Sequence, residues 1–231
     1  MTAPILVETP ELIAVAKPPG ITVIPGRNEP PEACLRAQLE AARGEKLWVV
    51  HRIDRDTSGV VVFARTAEAH RALSQVFEKK RAEKRYLAFA HAPAVAEGRI
   101  TLPLRPARKS LMKIAERGDR EAQAAETHYV VIEKWTRGDE HAALIEARPL
   151  TGRQHQIRLH LAATGAPIWF DPLYGEGAAP PDAPPTRLAL HAARLALPTP
   201  SGPWLRIEAP LPDDLVALRA WLDGAWSKAE G

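Results

Sequence analysis

The chain has one cysteine, Cys34, so no disulfide can form within it. Its first residues, Met1-Thr-Ala-Pro-Ile-Leu-Val-Glu8, lack the basic start and apolar core of a signal peptide, and no run approaches the roughly 18 apolar residues of a membrane span. A cytoplasmic protein without a membrane role is expected. Metal and hydrolase signatures are missing too. There is no Cys pair, His155 and His160 stand five apart rather than in an HExxH pair, and Ser58 does not sit in a Gly-x-Ser-x-Gly elbow. Internal repeats and long linkers are also lacking, so the 231 residues are read as a single domain, 1–231, able to bury a full core either as one large domain or as two lobes sharing a sheet.

Net charge is small, +3, but unevenly placed. Residues 78–115 hold ten Lys/Arg against three Glu, a local +7 that leaves −4 for the remainder. Such a patch attracts phosphate backbones through counterion release, although solvated basic faces also occur in proteins that bind no nucleic acid. Lys79, Lys80 and Arg81 have a further reading, as cations opposing the dipole at a helix C-terminus. Arg105, Arg108 and Lys109 lie in a proline-broken stretch read as an exposed loop that grips phosphates.

Patterning predicts strands at Ile5-Leu-Val-Glu8 and from Leu12 to Val23, broken by Pro18-Pro-Gly20. A helix over 32–43 follows, with Pro31 in its first turn and Gly44 at its end. Thr66 caps a second helix whose Ala69, Leu73, Val76 and Phe77 form a core stripe. Strands are predicted over 85–90, 127–133 and 142–147; residues 188–197 suit strand or helix, and Pro212 to Trp226 is an amphipathic helix. The succession favours α+β. Thr151 and Gln154 have capping-box spacing for a helix ending near Gly165, with Ile157 and Leu161 toward the core and His155 and Arg158 on another face. The Gly/Ala/Pro-rich stretch 176–187 is read as a flexible loop.

The densest chemistry is His51-Arg-Ile-Asp-Arg-Asp-Thr-Ser-Gly59, between Leu47-Trp-Val-Val50 and Val60-Val-Val-Phe63. Asp54 between Arg52 and Arg55 is either a turn-capping, ion-paired carboxylate or an anionic nucleophile whose ionised form the guanidinium groups favour. Asp56, beside Thr57 and Ser58, reads as a turn residue.

This nonapeptide resembles the active-site signature of the RluA-type pseudouridine synthases. Other motifs of that family occur in order: Lys17-Pro-Pro-Gly20, Lys84-Arg-Tyr86, Gly152-Arg-Gln-His-Gln-Ile-Arg-Leu-His160 and Asp171-Pro-Leu-Tyr-Gly175. The resemblance implies a mixed, largely antiparallel sheet flanked by helices, with a central RNA-binding cleft. It implies isomerisation of uridine to pseudouridine without cofactor or metal. Carried over by position, Asp54 acts at the ribose C1′, either by attack or by helping form a glycal. Tyr86 lies against the base and is a candidate for removing the C5 proton, its alternative being an ordinary core tyrosine. Arg158 pairs with the catalytic aspartate, and Arg153 is its nearest rival. A flipped-out uridine is required, and Arg52 occupies the vacated space, unless it is a salt-bridge partner of Asp54. His51, Arg55, Lys79, Lys80, Arg81, Arg105, Arg108, Lys109 and Arg153 complete the expected RNA contacts.

Many relatives carry an N-terminal S4 RNA-binding module, which is not expected here because the first catalytic-domain strand starts near Ile5. RNA, as an rRNA or tRNA stem-loop, is the expected partner of a monomer. Two other readings stand beside this one. The first is a noncatalytic RNA-binding protein on the same scaffold; the second is a metal-dependent phosphodiesterase using His51 and Asp54.

Overall fold

A computed structural model describes residues 3–26, 29–108, 111–175, 179–184 and 187–229. In chain order the elements are β1 (Ile5–Glu8), β2 (Leu12–Lys17), a 3-10 turn (Pro31–Ala33), α1 (Leu35–Arg43), β3 (Trp48–Val49), β4 (Ser58–Ala64), α2 (Ala67–Glu78) and β5 (Glu83–His91). They continue as β6 (Glu97–Ile100), β7 (Leu104–Pro106), β8 (Met112–Ile114), β9 (Thr127–Arg137), β10 (Glu140–Pro149) and α3 (Gln156–Ala163). The chain closes with β11 (Leu190–Pro198), β12 (Trp204–Glu208), α4 (Asp213–Ala225) and β13 (Ser227–Lys228). This is the expected α+β class. The chain forms two compact units, Met1–Lys84 with His191–Leu211, and Arg85–Leu190 with Pro212–Gly231.

In the first unit the strands run β1-β2-β4-β11, with β3 also on β4 and β12 also on β11. All these pairings are antiparallel except β4 with β11, so the sheet is mixed. Every residue of β4 is buried, which is why its sequence is a continuous apolar run and not an alternating one. Leu12, Ala14, Val60, Val62, Leu195, Leu197 and Ile207 form a core with Leu73 and Val76 of α2. Thr66 does cap α2, its hydroxyl accepting the Ala69 amide at 3.1 Å.

Two local expectations are corrected here. Residues 21–23 form no strand; the Thr22 and Val23 carbonyls accept the amides of Leu35 and Arg36, satisfying orphan donors at the start of α1. That helix begins at Leu35 and not at residue 32, because Pro31 starts a separate 3-10 turn. Gly44 ends it as expected, in the left-handed region at φ 67°. The basic run closes α2 as expected, with Lys79 as the C-cap and Lys80 and Arg81 just beyond it.

The second unit has the antiparallel order β5-β10-β9-β13, with β6 also on β9 and a separate β7-β8 hairpin. Leu215, Leu218 and Leu222 are fully buried on α4, and Trp135 Nε1 donates to Asp223 Oδ1 at 2.8 Å. Residues 104–106 are thus hairpin strand, contrary to the exposed-loop reading, and Leu104 is fully buried with Met112 and Leu159. Around 151–163, Thr151 is not the N-cap of α3. His155 is the N-cap at φ 53°, and the Thr151 hydroxyl donates to the Gln156 side chain instead. Gln156 through Leu161 are all buried, Ile157 and Leu161 as expected, and α3 reaches solvent only at its last two residues, Ala162 and Ala163. Its polar side chains are satisfied internally: Gln156 by Thr127 and the Glu126 carbonyl, His160 by Thr127 and the Leu102 carbonyl. Within the 176–187 stretch, the described residues 179–184 are anchored, with Pro180 and Ala183 buried and Asp182 paired to Arg137 at 2.9 Å. The remaining question about strand or helix at 188–197 resolves as strand β11.

Candidate functional site

The Asp54 loop is held from behind by a buried cation. Lys17, at the end of β2, is 1 % exposed, and its ammonium donates to the carbonyls of Pro18, Ile21 and Arg55 at 2.9, 2.8 and 2.7 Å. Three bonds match the three donors of an ammonium, which makes burying the charge tolerable. The Gly20 amide also donates to the Arg55 carbonyl at 3.0 Å. The Lys17-Pro-Pro-Gly20 turn therefore grips the backbone one residue beyond Asp54. The loop closes where the Thr57 amide donates to the Asp54 carbonyl at 3.2 Å.

At the exit of the loop, β4 pairs with β11 over only two residues, Ser58 with His191 and Gly59 with Ala192. Gly59 has φ 119°, and a Cβ there would sit 2.2 Å from the Ala192 carbonyl oxygen. The position accepts only glycine on both grounds, backbone conformation and space.

At the entrance, His51 serves the fold. Its ring stacks on Phe77 with centroids 4.6 Å apart, and Nε2 accepts the Val62 amide at 3.0 Å, so the proton of the neutral ring is on Nδ1. Burial, and then the charge of Lys84, push its pKa down to about 3. Lys84 itself is pushed down to about 8 by burial and by Lys80. A histidine with a depressed folded pKa stabilises the fold above its ordinary value of 6.5, and that stability is lost as pH falls from 6.5 toward the folded value. Wild type is therefore expected to lose about 2 kcal/mol more unfolding free energy than His51→Gln between about pH 6.5 and pH 4.5, as read by urea melts at each pH. Parallel pH curves for the two proteins would refute this.

Arg52 is exposed on this loop; Asp54 is half-buried. The exposed Arg55 side chain lies 3.4 Å from Asp56 and 3.9 Å from Glu29. Lys79, Lys80 and Arg81 are exposed after α2. Asp54 thus belongs to the first unit, and Tyr86 and Arg158 to the second.

In the second unit Tyr86 is half-buried on β5 opposite Ala147 of β10. Arg158 is buried in α3 and forms a bidentate pair with Asp171, Nε to Oδ2 at 2.7 Å and Nη2 to Oδ1 at 2.6 Å. Asp171 Oδ1 also accepts the Leu173 and Tyr174 amides, folding the Asp171-Pro-Leu-Tyr174 turn around itself. The Tyr174 ring lies 5.2 Å from the Arg158 guanidinium, and its hydroxyl accepts the Met112 amide and sits 2.8 Å from His155 Nδ1. A planar cation is thereby fixed in orientation by a carboxylate and an aromatic face. The motif that carries Asp171 and Tyr174 was visible in sequence, but not their roles as partners of Arg158 and His155.

The other expected RNA contacts differ in availability. Arg153 is exposed, with Nε donating to the Ala124 carbonyl at 3.2 Å. Arg105 is engaged internally, by Asp119 at 2.9 Å and Glu121 at 2.8 Å. Arg108 is exposed, and Lys109 lies outside the described residues. Among the described residues, no three His, Cys, Asp or Glu side chains cluster as metal ligands, and no helix is long and apolar enough to cross a membrane.

Residues 11–163 match the family model described as RNA pseudouridylate synthase. The ribosomal large subunit pseudouridine synthase D of Nitrosomonas europaea is 35% identical over 226 residues, which is 93% of this chain and 63% of the relative's length. The Escherichia coli dual-specificity RNA pseudouridine synthase RluA is 36% identical over 207 residues, 85% of this chain and 87% of that protein. Among solved structures, human RNA pseudouridylate synthase domain containing 1 superposes with a TM-score of 0.78 at 25% identity, covering 98% of this chain and 89% of that one. With the ordered motifs and the shared fold, these similarities show that the chain belongs to the RNA pseudouridylate synthase family.

Proposed function

We propose that this protein isomerises uridine to pseudouridine in structured RNA, with Asp54 as its essential carboxylate. The reaction breaks the bond from N1 to C1′, joins C1′ to C5, moves a proton off C5 and protonates N1, with no net redox change. The observation that carries the reading is the backbone clamp on the Asp54 loop. Lys17 and Gly20 each donate a hydrogen bond to the Arg55 carbonyl and the Thr57 amide donates to that of Asp54, holding a carboxylate at a set height on a rigid scaffold. Such preorganisation is what attack at, or proton handling beside, C1′ demands.

In this reading Tyr86 offers an aromatic face to the base and a hydroxyl for the C5 proton. Arg158, oriented by Asp171, supplies fixed positive charge. Arg52, exposed on the loop, fits the space left by a flipped-out uridine, where a guanidinium plane can stack. Exposed Lys79, Lys80, Arg81, Arg108 and Arg153 are the candidates for backbone phosphates. Arg105 is a weaker one, because RNA would compete with two carboxylates for it. Ribosomal or transfer RNA in the cytoplasm is the proposed substrate, acted on by a monomer.

The test follows the C5 hydrogen. Incubated with rRNA and tRNA transcripts carrying tritium at uridine C5, the purified protein is expected to release tritium to water with EDTA present, without shortening the RNA. Cleavage that depends on metal, or RNA binding with no tritium release on any transcript, would overturn the proposal.

A further inference from the structure

We propose that Ser58 and His191 form a brace that positions the Asp54 turn for reaction; this rests on Asp54 carrying the chemistry. Both residues are 2 % exposed. Ser58 Oγ lies 2.9 Å from His191 Nδ1, and His191 Nε2 lies 3.2 Å from the Ala209 carbonyl oxygen. A carbonyl only accepts, so Nε2 carries the ring proton and the neutral ring's Nδ1 accepts from the Ser58 hydroxyl. The carbonyl sets the direction of the bond at Nε2, and the two ring nitrogens thus face two different partners. Ala209 is itself anchored, its amide donating to the Ala193 carbonyl at 2.9 Å. Three separated stretches of chain, at 58, 191 and 209, are tied through one imidazole.

The location gives the brace its purpose. Ser58 is the first residue of β4 and follows Thr57, whose amide closes the turn onto the Asp54 carbonyl. The pairing of β4 with β2 starts only at Gly59, so Ser58 is paired with β11 alone, in a ladder of two residues, and its orientation depends on few backbone bonds. A pair of apolar side chains would fill the same volume at no cost to folding, but without directional bonds it would not fix that rotation. Displacements of about 1 Å at a reacting group cost on the order of 100-fold in rate. Ser58 and His191 are positioning residues in this account, since both are buried and act through the Asp54 turn.

The experiment compares Ser58→Ala, His191→Ala and the double variant with wild type and Asp54→Asn. Amide exchange at Thr57, RNA affinity, melting temperature and single-turnover pseudouridine formation at saturating RNA are measured on each. Either single substitution is expected to speed Thr57 exchange at least about tenfold and to slow the chemical step about 10- to 100-fold, with RNA affinity within about twofold. The double variant is expected to be no slower than the slower single, because the two groups act as one unit. Folded Ser58→Ala with unchanged exchange and rate would overturn the brace. So would rate losses that are additive and match the loss of folded protein. If His191→Ala does not fold, Ser58→Ala, which deletes one oxygen, decides. An inactive wild type or an active Asp54→Asn sinks the reading of the site, and Thr57 exchange then judges the brace by itself.

Discussion

Asp54→Asn is expected to abolish pseudouridine formation, with a loss of at least about 1,000-fold in single-turnover rate, while the protein still folds and binds RNA. The amide matches the carboxylate in shape but carries no negative charge, so it neither attacks C1′ nor stabilises positive charge developing there. Folding should be spared because the loop is held through main-chain atoms. The Lys17 ammonium, the Gly20 amide and the Thr57 amide all bond to carbonyl oxygens that the substitution leaves in place. Rate, RNA affinity and melting temperature measured side by side make the test sharp. A rate within tenfold of wild type would remove Asp54 from the reaction, and a matching drop in melting temperature would reduce it to a structural carboxylate.

Gly59→Ala is expected to be the most damaging single methyl group in the first unit. Two costs add. An alanine at φ 119° is strained by about 1–3 kcal/mol, and its Cβ would stand 2.2 Å from the oxygen and 2.6 Å from the carbon of the Ala192 carbonyl. The clash is with backbone, which cannot swing aside as a side chain would. Relief requires opening the pairing of β4 with β11. A loss of at least about 4 kcal/mol in unfolding free energy is expected, or failure to fold. Gly20→Ala is the control, since Gly20 also has positive φ, 81°, but has nothing within 4 Å of the added methyl; a loss of only about 1 kcal/mol is expected there. Urea unfolding of the two variants separates strain from collision, and equal losses would show that space at Gly59 is not what matters.

Much of the fold was legible because local rules acted without competition. Thr66 capped α2, Gly44 ended α1, and the Leu215, Leu218, Leu222 stripe was buried, as spacing alone required. The misses share a cause. Thr151 does not cap α3, whose N-cap is His155, and its hydroxyl donates to Gln156 in a buried network that includes Thr127 from a distant strand. Residues 104–106 looked like a loop because their prolines masked a short strand whose one buried side chain, Leu104, packs on residues far along the chain. Arg105 looked available for phosphate until Asp119 and Glu121 were found beside it.

The candidate site divides along the same line. By itself the sequence carried the proposed class of chemistry, because the groups proposed to react occur in contiguous motifs: Asp54 between two arginines, Tyr86 after Lys84-Arg85, and Arg158 in a dense polar run. It also determined that the Asp54 loop lies between apolar strands, since hydrophobic runs show locally. What only the tertiary structure decided is how those groups are held. Lys17 reaches Arg55 across 38 residues, Ser58 reaches His191 across 133, and Arg158 is oriented by Asp171. His51 turned from an expected RNA contact into a packed, neutral ring that accepts the Val62 amide. These are hydrogen bonds in buried surroundings, where the choice of partner depends on which polar groups the packed strands bring within 3 Å, and no rule of local spacing carries that information.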